Sequence, residues 1–290
     1  MNFAKLMMGS AMFIFGTLGL FVRAVPLPSS HIALIRGAVG CLCLCAAAAT
    51  LGGGLSWKRV RPNLKYLIAC GAGMGINWIL FFESFRYTTV STAIICYYLA
   101  PVIILALAPA VLHEKLSLRT VACVLASLAG LVCVAGGSGG TGSNDTLGII
   151  YGVSAAATYA FIVLTNKFLK GVTPYETTSV QLGVAAAVLA PYVLSGGGLS
   201  FAGLSATALV CLALVYLVHT GLAYLMYFWS LVRLPSQTVA ALSYIDPLSA
   251  IVLSALFLGE KMTPLQMLGG ALILGATFVN EMRGKNGVTR

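Results

Sequence analysis

The feature that most constrains this chain is a series of apolar runs, each about the length of a bilayer crossing. A helix spans the hydrocarbon core with about 20 apolar residues, at 1.5 Å rise each. Runs of that size occupy residues 5–22, 31–51, 64–85, 89–112, 117–136, 147–168, 175–194, 204–230, 236–258 and 263–281. Short breakers separate them: Pro26 and Pro28, Gly52 to Gly54, Gly136 to Gly142, Gly196 to Gly198, and Pro235. None of these gaps can hold a soluble domain. Only 8% of the residues are charged and 59% are hydrophobic. A soluble surface needs about 25% charge, so lipid must be the solvent. The expected fold is an all-α integral membrane protein with ten transmembrane helices.

The net charge of +10 fits the same reading, because the basic residues cluster in alternate loops. With the N-terminus inside, Lys5, Lys58, Arg59, Arg61, Lys65, Lys115, Arg119, Lys167, Lys170, Arg233, Arg283, Lys285 and Arg290 fall on the cytoplasmic side. Only Arg23, Arg86 and Lys261 fall outside, and Arg36 lies within a span. That bias places both termini in the cytoplasm, in a plasma or inner membrane. It leaves no basic helix face for nucleic acid. The first run resembles a secretory leader, with Lys5 before it and Val22-Arg23-Ala24 after it, but Pro26 follows the cut and the repeat described next needs the span. The cysteines all lie within apolar runs, where they act as small hydrophobes, so neither disulfide nor metal site is expected. Cys43 projects away from Cys41 and Cys45 on a helix, which prevents the three from chelating one ion. The Gly136–Gly142 stretch reads as a flexible linker and lacks the Gly-Lys-Ser/Thr ending of a phosphate loop. Asn144-Asp145-Thr146 matches the glycosylation pattern, a three-residue match that chance produces often.

Shifted by 146 residues, Phe82–Lys115 lies over Phe228–Lys261 without a gap, with nine of 34 pairs identical. Tyr98 falls on Tyr244, Pro101 on Pro247, Glu114 on Glu260 and Lys115 on Lys261. A shared Tyr-x-x-Pro at mid-span and a shared terminal Glu-Lys at one offset mark two copies of one unit, 1–140 and 141–290. Five spans per copy is an odd number, so the second copy enters the membrane inverted, an architecture common in secondary transporters.

These residues carry a family resemblance. Ser91-Thr92-Ala93 through Tyr98, Pro101, Glu114-Lys115-Leu116 and Leu118 to Val134, with the second copy from Gln237-Thr238-Val239 through Tyr244, Pro247, Glu260-Lys261-Met262 and Gly269 to Val279, resemble the EamA-type members of the drug/metabolite transporter superfamily. The resemblance covers nearly the whole chain. It implies ten helices around a central cavity, lined by the two Tyr-x-x-Pro helices, and movement of amino acids, related metabolites or drugs, commonly by export. Asp246 departs from the first copy, where Ala100 stands.

An ionisable residue at membrane depth is a functional hypothesis by default. Asp246 lies about ten residues into its span, roughly 15 Å deep. It precedes Pro247, which removes an amide donor. It is expected to bind a substrate amine or carry a proton, or else to cap or pair within the bundle. Tyr244, Tyr98, Tyr97, Asn77, Trp78, His219, Tyr159 and Tyr224 lie at similar depth and suit a pocket for an amphipathic metabolite, or plain helix packing with satisfied polar tips. Arg36 and Glu83 sit at matching depths and are expected to pair, as structure or as a gate. Gly71-x-x-x-Gly75 and Gly148-x-x-x-Gly152 are expected to let helices approach closely. The terminal Glu-Lys pairs are expected to anchor helix ends at the interface. The expected partners are a small-molecule substrate and the bilayer, with coupled protons open, no cofactor, and a monomer or weak homo-oligomer. A passive channel stays as an alternative. An intramembrane enzyme fits poorly, since Asp145 and Asp246 are the only aspartates and no His-Glu-x-x-His occurs.

Overall fold

A computed structural model describes residues 2–51, 54–112, 118–136, 143–195, 198–199, 201–231, 233–234 and 236–283. The regular structure among the described residues is all helical, without strands. In chain order the helices are α1 (Asn2–Arg23), α2 (Ser29–Leu51), α3 (Trp57–Val60), α4 (Leu64–Tyr87), α5 (Val90–Tyr97), α6 (Ala100–Leu112), α7 (Leu118–Gly136), α8 (Asp145–Asn166), α9 (Pro174–Ser195), α10 (Ala206–Ala213), α11 (Ala223–Leu231), α12 (Ser236–Ser243), α13 (Ile245–Phe257) and α14 (Pro264–Arg283). A 3₁₀ turn, Arg61–Asn63, joins α3 to α4, and a π-helical stretch, Leu214–Leu222, joins α10 to α11. Six helical stretches among the described residues are long and apolar enough to cross a membrane.

The expected runs and the observed helices differ where the backbone is interrupted. The 89–112 run is two helices, α5 and α6, and the 236–258 run is two helices, α12 and α13. Each breaks at the tyrosine of its Tyr-x-x-Pro. The linker residues 137–142 and the first Glu-Lys pair, Glu114-Lys115, lie outside the described residues.

Local rules set the ends. Thr173-x-x-Glu176 forms a capping box at α9: the Thr173 amide donates to Glu176 Oε2 at 2.9 Å, and the Glu176 amide donates to Thr173 Oγ1 at 3.2 Å. Thr263-x-x-Gln266 repeats the device at α14, at 2.9 and 3.2 Å. Asn144, the candidate glycosylation site, caps α8 by accepting from the Leu147 amide at 3.1 Å.

Packing interleaves the two copies. Helix α1 lies on α11 and α13, α8 lies on α4, α5 and α6, α2 packs on α9, and α7 packs on α14. Glycines make the closest of these approaches. A Cβ at Gly130 would meet the Gly269 carbonyl at 2.7 Å, and one at Gly269 would meet the Gly130 carbonyl at 2.5 Å. Gly71 and Gly75 face α9, while Gly148 and Gly152 face Thr88 and Cys96, the packing roles their spacing suggested. At Gly16 a Cβ would lie 2.6 Å from the Asp246 carbonyl, so α1 is pressed onto the start of α13. The main apolar core joins α1, α2, α4, α5, α8, α9 and the α10–α11 span around Trp78, Phe81, Phe82 and Phe85.

Candidate functional site

The two helix breaks meet. Proline has no amide hydrogen, and Pro101 and Pro247 fall in the first turns of α6 and α13, where helical amides lack intrahelical partners anyway. Pro247 thereby leaves the Ser243 carbonyl without its helical donor. The Tyr98 hydroxyl, from the other break, fills that place at 3.4 Å and also donates to Asp246 Oδ2 at 3.3 Å. Asp246 stands in the first turn of α13, where the helix dipole favours a carboxylate. A tyrosine of the first copy thus holds both the freed carbonyl and the acid of the second.

Aromatic rings surround this contact. Tyr97 lies 4.4 Å from Phe81 and 5.6 Å from Tyr159, centroid to centroid. Its hydroxyl is within electrostatic reach of Asn77, Tyr159, Tyr224 and Asp246. Tyr224 packs edge-on against Phe15 at 5.6 Å and Phe228 at 6.2 Å. Asp246, Tyr97, Tyr98, Tyr159, Tyr224 and Asn77 therefore converge. Asn77 is also a strut, because its Nδ2 donates to the Ala155 carbonyl at 2.6 Å and ties α4 to α8. Tyr227 joins the cluster through Phe15 at 6.3 Å and Phe228 at 5.0 Å. Its spacing of three from Tyr224, on one helix face, was the available signal.

Other expected site residues lie elsewhere. The Tyr244 ring turns to Phe278, edge-on at 5.2 Å. His219 is held at both ring nitrogens, by Thr17 Oγ1 at 2.8 Å and by the Leu214 carbonyl at 3.0 Å. That makes it a satisfied core histidine on the π-helical stretch. The Leu214 carbonyl lies five residues back, as does the Val215 carbonyl that accepts from Thr220 at 2.9 Å. Such stretches frequently mark functional positions.

The expected Arg36–Glu83 pair is not formed. Glu83 faces Arg86, one turn along its own helix, at 3.8 Å. Arg36 instead donates from Nε to Thr220 Oγ1 at 3.0 Å and lies over the rings of Trp78 at 4.8 Å and Phe82 at 5.4 Å. Matching depth did not bring matching azimuth: the guanidinium turns into the core while the carboxylate stays near the end of α4. Trp78 accordingly serves Arg36 rather than the Asp246 contact.

Two carboxylates are buried: Glu176, which the sequence reading passed over, and Glu260, which it expected at the interface. Glu176 accepts from Arg59 Nη2 at 2.7 Å and the Ser56 amide at 2.8 Å, besides its own capping box. Glu260 accepts from the Val90 amide at 3.0 Å and the Ser91 amide at 3.3 Å, and pairs with Arg23. It is 5% exposed, so it clamps α5 rather than anchoring its own helix end at an interface. A groove of about 640 Å³ runs between α1 and the α12–α13 break, lined by Phe13, Leu242 and Ile245 among others, and includes none of the expected site residues.

Comparison with known proteins follows the same outline. The model of the EamA-like transporter family matches twice, over residues 2–136 and 146–282. An uncharacterized transporter of Bacillus subtilis, YxxF, is 33% identical over 99% of this chain and 92% of its own length. A probable terminal-alkyne amino-acid exporter of Streptantibioticus cattleyicolor is 26% identical, over 86% of this chain and 83% of its own. The threonine/homoserine exporter RhtA of Escherichia coli K12 is 26% identical over 46% of this chain and 45% of its own. A solved crystal structure, 19% identical, superposes with a TM-score of 0.64 and covers 99% of both chains, a likeness of fold alone.

Proposed function

This chain belongs to the EamA-like transporter family, and from that premise we propose that it is a secondary transporter that exports small organic metabolites such as amino acids. It works by alternating access between two inverted five-helix halves, 1–140 and 141–290, which together supply ten spans. The substrate sits at mid-membrane between the helix breaks, against Asp246, Tyr98, Tyr97, Tyr159 and Tyr224.

The contact of Tyr98 with Asp246 and the Ser243 carbonyl carries this reading. Interrupted helices that meet at a repeat interface are the usual place for a transporter's binding site, because unpaired backbone is tolerated there only beside a cavity or protein. The packing also supports two equivalent halves: α1 on α13 is answered by α8 on α6, and α1 on α11 by α8 on α4. The amino-acid class follows the named exporters among its relatives.

Two measurements test it. Purified protein in proteoliposomes should show counterflow of amino acids, saturating with concentration. Flux without saturation or counterflow would make it a channel. Single-cysteine labelling should place Lys115 and Lys261 on opposite faces of the membrane, and the same face would overturn the inverted halves.

A further inference from the structure

Among the described residues, Arg36 is a buried cation without a counter-ion. It is 3% exposed and sits in the main core beside Trp78 and Phe82. A guanidinium has five N–H donors. The Nε hydrogen goes to Thr220, and no acceptor or carboxylate among the described residues meets the two terminal amino groups. The described carboxylates are engaged elsewhere: Glu83 with Arg86, Glu176 with Arg59, Glu260 with Arg23, Asp145 with Thr88, and Asp246 with Tyr98. Ring faces attract a cation but do not accept its in-plane hydrogens.

A second unpaired group lies in the same core, with Trp78 and Phe82. Tyr216, on the π-helical stretch, is 9% exposed, and its hydroxyl has no hydrogen-bond partner among the described residues. The guanidinium acts electrostatically on that hydroxyl, and on His219 as well. His219 cannot serve as an acceptor for either, since both its nitrogens are engaged. Burying a charge or a hydroxyl without a partner is costly, and two such groups together in one core are unusual unless something arrives to meet them.

We propose that Arg36 and Tyr216 form an anion subsite that takes the carboxylate of the transported molecule. The two Arg36 amino groups offer the planar fork that binds a carboxylate bidentately, and the Tyr216 hydroxyl supplies a third donor. One guanidinium balances one negative charge, so a singly charged carboxylate fits and a doubly charged phosphate does not. On the π-helical stretch Tyr216 lies four residues before Thr220, which bonds the guanidinium, and Tyr216 belongs to the same core as Trp78 and Phe82. The subsite rests on the transporter reading and sharpens it: the substrate carries an acid group, and Asp246 with Tyr98 contacts another part of it.

The test compares amino acids with their carboxamides and with the corresponding decarboxylated amines, in counterflow and by thermal shift of the detergent-solubilised full chain. The wild type should transport the acids and be stabilised by them, and should respond to neither the amides nor the amines. Arg36→Gln should lose acid transport, and Arg36→Lys should recover part of it. Tyr216→Phe removes a hydroxyl that bonds none of the described residues. It should leave the ligand-free melting temperature unchanged while raising the apparent KM for acids about tenfold, the worth of one hydrogen bond to a charged group. Amides bound as well as acids, or Tyr216→Phe without effect on KM, would overturn the subsite while leaving transport intact. If no compound shows counterflow, the transporter reading fails, and the thermal shift decides the subsite by itself: stabilisation of wild type but not of Arg36→Gln by carboxylates supports it, and equal response refutes it.

Discussion

Removing the Glu260 carboxylate should weaken the protein through two backbone amides of another helix. The first three amides of α5, those of Val90, Ser91 and Thr92, have no intrahelical acceptor, and the first helical bond runs from the Ala93 amide to the carbonyl of the N-cap Thr89 at 3.0 Å. Thr89 Oγ1 serves one of the three, accepting from Thr92 at 3.1 Å. The other two, Val90 and Ser91, both donate to Glu260. Both residues are buried, so water cannot replace the carboxylate. An unsatisfied buried donor costs about 1–3 kcal/mol, and Glu260→Ala orphans two, so the expected loss is about 2–4 kcal/mol after some relaxation of α5. Glu260→Gln keeps one acceptor oxygen and should cost about half as much. Arg23 is 35% exposed, so solvent screens its ion pair, and Arg23→Gln should cost under about 1 kcal/mol. At roughly 2–4 °C per kcal/mol for a chain of this size, Glu260→Ala should lower the melting temperature by about 4–16 °C in detergent, well beyond Arg23→Gln. Equal losses for Glu260→Ala and Arg23→Gln would show that the ion pair, not the cap, carries the contact, and would refute the reasoning.

Three further outcomes follow. Asp246→Asn keeps an acceptor for Tyr98, so thermal stability should hold within about 1 kcal/mol while counterflow falls at least tenfold; unchanged flux across a pH series would remove Asp246 from the site. Gly16→Ala would place a Cβ 2.6 Å from the Asp246 carbonyl, and overpacking there should cost about 1–3 kcal/mol and reduce transport, measured by melting and counterflow together. His219→Gln should reduce stability without changing the pH profile of transport, because the ring is bonded at both nitrogens and relays nothing; a shifted profile would give it a proton role.

The helices were legible because lipid imposes a length and a composition, and both breaks were marked by Tyr-x-x-Pro. The convergence of Asp246, Tyr98, Tyr97, Tyr159 and Tyr224 was legible only as a shared depth. Depth is a single coordinate. It could not tell that Arg36 turns to Thr220, 184 residues away, while Glu83 stays with Arg86 on its own helix. Tyr244 repeats Tyr98 in sequence yet faces Phe278, because each copy meets different neighbours. Glu176 and Glu260 went unread as buried groups, since a carboxylate at the end of a run looks solvated; only Thr173-x-x-Glu176 gave a local hint of its use. The π-helical stretch follows no periodicity that would distinguish it from the rest of its apolar run.

The exchange of first helices has a consequence for how such a chain can be divided. Helix α1 belongs to the first half by sequence but rests on α11 and α13, and α8 repays the visit on α4 and α6. A single half would therefore expose the seat meant for a foreign helix, and would need a helix from another copy to bury it. A gene cut between Gly136 and Ser143 should yield fragments that are insoluble apart and rebuild the whole when made in the same cell.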